Sequence, residues 1–220
     1  MATFTLQFNK YQKQLRALLS EQAYFSKAIE LFYQMNILLH PSTGKSLSSF
    51  EDVIWQNASE ADFKRMPIRS QNSIAWHFWH SSRIEDIATS FFITSKEQVF
   101  TKHGFNKRLG ADFTDTGNDL NRDQMAYFNS KIDVKELKKY RIAVGKATID
   151  AVQKLEPKDL KKKVSTDSLD QLLLKGFVSK NSRWLIDFWG RKDISGIILM
   201  PLTRHLMIHI NQAFRLLPGK

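Results

Sequence analysis

Four of the six histidines in this 220-residue chain fall in two short tracts, Trp76-His77-Phe78-Trp79-His80 and His205-Leu206-Met207-Ile208-His209. Imidazole ligates metals and moves protons near neutral pH better than any other side chain. In the second tract the i, i+4 spacing sets two imidazoles one helical turn apart on one face, with Cβ atoms ~5–6 Å apart, so that both can converge on one ion. A third imidazole from a different helix, His77 or His80, completes a three-histidine set. Three protein ligands with one position left open is the arrangement of catalytic zinc, whereas structural zinc is closed by four. The chain has no Cys, which excludes disulfides, thiolate metal sites, iron–sulfur clusters and a Cys nucleophile, and leaves His, Asp or Glu as the ligands for any metal. H-x-x-x-H by itself occurs by chance in many helices. What favours ligation is that both tracts lie on helix faces expected to look inward, where an unpaired imidazole is costly to bury. The Glu of H-E-x-x-H is missing, which disfavours a zincin-type protease. His40 and His103 fall in expected loops.

Four long segments with helical periodicity are available to position these residues. The first runs from about Leu6 to Tyr33 and is broken by Pro41, Ser42 and Gly44. A short helix is expected near Ser49 to Gln56, with Pro67 as a boundary. The second long segment, Gln71 to Ile93, starts after Ser70 as N-cap, and its inward stripe is His77, His80, Ile84, Ile87 and Phe91. From Thr94 to Asp133 periodicity dissolves into a connection of about 40 residues, too long for a tight helical hairpin, with one short helix expected around Arg122 to Asn129. The third segment, Val134 to Leu155, sets Leu137, Tyr140, Val144, Ala147, Ala151 and Leu155 on one side, and Pro157 closes it. Leu169 to Phe177 and Trp184 to Trp189 are short apolar pieces. The fourth long segment, Asp193 to Leu217, carries Leu199, Leu202, His205, Leu206, His209 and Ala213 on one face, with Pro201 kinking it or marking its first turn. No period-two run long enough for a sheet is present. The expectation is an all-α single domain over residues 1–220, a four-helix bundle with a long crossover between the second and third helices.

Composition bounds the function. Apolar residues at 42% and charged residues at 25% are ordinary globular values and exclude a disordered or fibrous chain. The first residues show no secretory or transit pattern, and the longest apolar stretch, Ile194 to Leu202, is far short of the ~20 residues that span a bilayer, so a soluble cytoplasmic protein without a membrane partner is expected. Lys and Arg exceed Asp and Glu by 33 to 22, a formal charge of +11. Residues 131–164 hold 11 Lys or Arg against five Asp or Glu, a net of +6, more than half of that surplus. Tyr140 is the one aromatic in that stretch and its stripe assigns it to the core, so a solvated helix face is favoured over a nucleic-acid interface. Asp112 to Asp123 is superficially similar to a calcium loop, but Thr114 and Thr116 stand where Asp or Asn is wanted and the closing Glu is missing. Glu85 is expected in a surface or interhelical ion pair, Trp76 and Trp79 in core or dimer packing, and Arg204 and Arg215 on solvated helix faces.

Two motifs resemble those of a known family. The stretch S-I-A-W-H-F-W-H-S-S-R-I-E-D, from Ser73, is similar to the helix-two pattern of the DinB/YfiT-like superfamily, in which a Trp precedes the ligand His by four residues and an acidic residue follows it by five. The stretch H-L-M-I-H-I-N-Q, from His205, is similar to its helix-four pattern H-x-x-x-H-x-G-Q, with Asn211 in place of Gly. Asp115-Thr116-Gly117-Asn118 and Leu137 to Arg141 also fit the group. The resemblance implies a four-helix bundle that binds a divalent metal (Zn, Ni, Fe or Mn) through His80, His205 and His209, the Trp76 register selecting His80 over His77. It further implies a metal-dependent enzyme, a thiol-dependent S-transferase or a hydrolase, with a low-molecular-weight thiol or other small molecule as substrate and a homodimeric state. A non-catalytic metal-binding, stress-related interaction protein is the alternative, and a basic nucleic-acid-binding module is the third reading.

Overall fold

Apolar residues at helical spacing account for the regular structure of this chain, and among the described residues the one β pairing is an isolated antiparallel bridge between Lys163 and Asp193. The computed structural model describes residues 2–44, 49–67 and 72–219. The all-α expectation holds, but the segments are divided differently from the four expected. The first is two helices. α1 (Ala2–Ser20) buries Phe8, Leu15 and Leu19, and the backbone then leaves the helix at Glu21, with φ −124° and ψ 123°. After one 3-10 turn, α2 (Phe25–Leu39) lays down Ala28, Leu31, Phe32, Met35 and Leu39. The two halves pack on each other, which one continuous helix cannot do. Two short helices follow, α3 (Asp52–Asn57) and α4 (Glu60–Lys64). The second is opened by a capping box, in which Ser59 Oγ accepts from the Asp62 amide and the Asp62 carboxylate accepts from the Ser59 amide.

α5 (Ile74–Ala88) is the centre of the molecule. Ser73 caps it, its Oγ accepting from the Trp76 amide at 3.0 Å. The expected cap Ser70 and the expected first residue Gln71 lie outside the described residues. All 15 residues of α5 are buried, so it has no outward face, only directions toward different neighbours. Polar residues inside must then be paired. Asp86 accepts from the Val99 and Phe100 amides and from the Tyr140 hydroxyl. Glu85 pairs with His40 at 2.9 Å and lies 3.8 Å from Arg141, which also binds Glu51 and donates to the Leu39 carbonyl. Glu85 is thus an interhelical ion-pair residue, fully buried, and His40 ends α2 instead of lying in a free loop. α5 continues as a π-helical turn, Thr89–Thr94, which Ser95 closes in the left-handed region at φ 52°.

The expected crossover holds helices of its own: α6 (Val99–Lys102), α7 (Phe105–Arg108) and α8 (Arg122–Lys131), the last with an Asn121–Gln124 capping box. α9 (Val134–Val152) starts at Asp133, which caps the Glu136 amide, and it buries Leu137, Tyr140, Val144 and Ala151 as expected, with Arg141, Gly145 and Thr148 buried as well. The two short apolar pieces become α10 (Thr166–Leu174) and α11 (Arg183–Gly190). The expected fourth helix is three elements: α12 (Ile194–Leu199), a π-helical turn over Met200–Arg204, and α13 (His205–Arg215). Pro201 has no N–H for a regular ladder, and Thr203 Oγ1 donates to the Ile198 carbonyl at 2.9 Å within the widened turn.

The chain is therefore not the DinB-like four-helix bundle with a long crossover that its sequence suggests. It is a larger all-α fold in which α5 packs against α9 and α13, with α4, α6 and α8 along it. Breaks at Glu21 and Pro201 and the helices of residues 99–131 make the difference. Among the described residues no helix is long and apolar enough to cross a membrane.

Candidate metal centre

α13 begins at His205, directly after the π-helical turn, and one turn later carries His209; both rings point at α5 and meet His80 there. One ligand nitrogen from each of His80, His205 and His209 lies within 4.8 Å of the other two, the one such group of three found among the described residues. Nε2 of His205 and Nε2 of His209 are 3.1 Å apart. Nitrogen ligands around a tetrahedral ion at about 2.0–2.1 Å sit roughly 3.3 Å from each other, so this pair already has the needed spacing.

The outer nitrogens decide where the lone pairs point. His80 Nδ1–H donates to the Thr116 carbonyl at 2.5 Å, which leaves Nε2 as the acceptor. The indole of Trp76 lies flat on the same ring, 4.5 Å between centroids with 4° between planes, and its N–H donates to the Gly117 carbonyl at 3.3 Å. The supporting loop is held from α5 itself, where Arg83 Nη2 donates to the Thr114 carbonyl at 2.6 Å. Within the loop, Asp115 Oδ1 accepts from the Gly117 amide and Thr116 Oγ1 donates to Asn118 Oδ1. Gly117 adopts φ +69°, where a side chain is strained and where a Cβ would stand 2.3 Å from the Trp79 ring. His77 is not one of the three. Its Nδ1 lies 2.9 Å from His209 Nδ1, so it fixes that ring's tautomer when His209 turns Nε2 inward. His205 Nδ1 is buried without a partner.

Burial pushes all four imidazoles away from protonation. His77 is lowered to about 3 by desolvation and then by the neighbouring His80. Desolvation lowers His80 to about 4 despite the opposing bond to Thr116. His205 and His209 fall well below 6.5, desolvation first and the adjacent imidazoles next. At neutral pH the cluster therefore carries neutral rings whose lone pairs are available to a cation, and the residues fit a metal.

Two of the three open onto space. His80 and His205 line a cavity of about 150 Å³ together with Trp184, Phe188, Trp189 and Met200, from α11 and the π-helical turn. The other sequence candidates lie elsewhere. Glu85 is held by His40, Arg204 and Arg215 are exposed, and Trp79 packs against Phe128. Trp76 is packed in the core, as expected, and there its indole stacks on His80. The Asp112 to Asp123 segment carries the His80-supporting carbonyl and contains no group of three metal-ligating side chains. Thr116 escapes sequence reasoning because it acts through its backbone. The aromatic run Trp184 to Trp189 was the available signal for the cavity wall.

No family model matches this chain, and no curated protein matches it. The resemblance to the DinB/YfiT-like superfamily is corrected accordingly: the two histidine motifs stand here in a different all-α fold. The thiol-transferase chemistry that came with the family loses its support with it.

Proposed function

We propose that His80, His205 and His209 hold a divalent metal ion through their imidazole nitrogens, and that the centre is catalytic, of hydrolase type. The observation that carries this reading is the convergence of three neutral imidazoles from two helices, two buried and His205 half-buried, beside a cavity. Bound there, a metal supplies Lewis acidity and lowers the pKa of a water or other acidic ligand at the open position. Imidazole donors suit Zn, Ni and Fe, with Mn served less well. The chain's own residues orient the ligands: the Thr116 carbonyl keeps the proton on His80 Nδ1, and His77 Nδ1 accepts the His209 Nδ1 proton.

The test is elemental analysis of protein purified without an affinity tag, followed by thermal melts with and without added zinc. One equivalent of metal and a melting temperature raised by zinc are expected, with both lost in His205→Ala and His209→Ala. Metal-free protein that zinc does not stabilise refutes the reading. A second reading, a non-catalytic metal-binding protein, is favoured by one observation: no Asp, Glu or Lys lines the cavity to act as general base. Stoichiometric metal with no turnover of hydrolysable esters selects it.

A further inference from the structure

We infer that the cavity beside the histidine centre is a binding site for a small uncharged aromatic molecule, a single ring with one polar atom turned toward His80 and His205. The direction of the polar atom rests on the metal reading; the ring site does not. Size sets the first limit. The cavity is about 150 Å³, and an apolar cavity of roughly that volume accepts benzene. It is too small for a nucleotide or a peptide side chain with its backbone.

The walls set the chemistry. Trp184, Phe188 and Trp189 of α11 form one side, with Met200 and Pro201 of the π-helical turn beside them. Aromatic walls gain most from a ring offered edge-to-face or offset, and a thioether adds a favourable sulfur contact with a ring edge. No charged side chain lines the space. In the metal-free protein a carboxylate or ammonium group placed there would lose its hydration without a counter-charge, which is costly. The polar groups on offer are the two imidazoles and Asn118, whose Oδ1 is already taken by the Thr116 hydroxyl. A ligand with a single polar atom matches this set, and a polyol or zwitterion does not. Trp184 keeps 55% of its surface in water. Because Trp184 both lines the cavity and faces solvent, a ring can reach the cavity on its side.

The experiment follows phenol binding to the full chain by the NMR shift of the Met200 methyl group, with metal-free and zinc-loaded protein titrated in parallel. Phenol is expected to shift Met200 in both, more tightly with zinc, and benzoate is expected to bind the metal-free protein weaker than phenol by on the order of tenfold. Trp184→Ala is expected to weaken phenol several-fold and Trp184→Phe to restore it. The exposed position of Trp184 keeps these variants folded, and the far-UV spectrum checks this. No Met200 shift in either form, benzoate binding the metal-free protein as tightly as phenol, or indifference to Trp184→Ala overturns the inference. Zinc titrated alone separates the two readings. Zinc uptake without phenol binding removes the ring site only, whereas phenol binding without zinc uptake removes the metal reading and leaves the ring site standing.

Discussion

Replacing Gly117 with Ala tests whether the loop beneath His80 sets the metal affinity. A Cβ at this position would lie 2.3 and 2.9 Å from two Trp79 ring carbons and 3.3 Å from the Trp76 indole nitrogen. Carbon atoms rest at about 3.5–4.0 Å, so something must move by roughly 1 Å. Trp79 cannot, because it is wholly buried against Phe128. The loop must yield instead, and the Thr116 carbonyl, one peptide away, leaves His80 Nδ1. The left-handed φ of +69° adds about 1 kcal/mol for a non-glycine residue, and overpacking adds about 1–3 kcal/mol. The expected loss of stability is therefore about 2–4 kcal/mol. Losing an outer hydrogen bond to a ligand histidine lowers metal affinity by about 10–100-fold. Chemical denaturation of the metal-free protein measures the first quantity and zinc competition against a chelator the second. Thr116→Val serves as a control, since it keeps the carbonyl and removes only the hydroxyl bond to Asn118. Gly117→Ala protein with unchanged stability and unchanged zinc affinity would refute the account of how His80 is held.

His77→Phe removes the partner of His209 Nδ1 without removing a ligand, so zinc stoichiometry should stay at one while affinity falls by about tenfold; loss of stoichiometric binding in a chelator competition would instead make His77 a ligand. Acid should destabilise the metal-free chain. Histidines with folded pKa values below the unfolded 6.5 bind more protons when unfolded, so their stability is complete above pH 6.5 and is lost as pH falls toward about 4 for His80 and about 3 for His77. Each then gives up roughly 2 kcal/mol by pH 5, and denaturant midpoints at pH 7.5 and 5 measure it; a flat profile contradicts the burial. Glu85→Ala leaves His40 buried without its carboxylate and Arg141 with Glu51 alone, and should cost about 3–5 kcal/mol in chemical denaturation, whereas a loss below 1 kcal/mol would mean that Glu51 alone satisfies Arg141.

What the sequence makes legible and what it hides divide along physical lines. His205 and His209 are local, one turn apart on one helix, so spacing pairs them; between His77 and His80 spacing does not choose, and the resemblance, through the Trp76 register, points to the His80 ring that meets them. The stripe of α9 is equally local, and the helix starts at Val134 where it is expected, though it ends at Val152, three residues short of the expected Leu155. The break at Glu21 has no Gly or Pro to announce it, because the packing of α1 on α2 decides it, and that contact is invisible in a window of neighbours. The Ser59–Asp62 capping box was present to be read, but a five-residue helix is too short to show a periodic stripe behind it. The stripe assigned to α5 is correct for its histidines and misleading for Arg83, Glu85 and Asp86, since a helix surrounded on all sides buries its charges by pairing them. Thr116 acts through a carbonyl, which every residue has, and no side-chain pattern can single it out.

The complete burial of α5 has a kinetic consequence for anything held at its middle. Its amides have no route to solvent short of opening the whole fold, and their hydrogen exchange should be the slowest in the chain. His80 is therefore a fixed post. α13 differs: it follows a π-helical turn, His205 is only half-buried, and Ile208 keeps 38% of its surface in water. The barrier to entry and escape at this centre belongs to α13, and residence time there should follow the fraying of its first turn while leaving the exchange of α5 untouched.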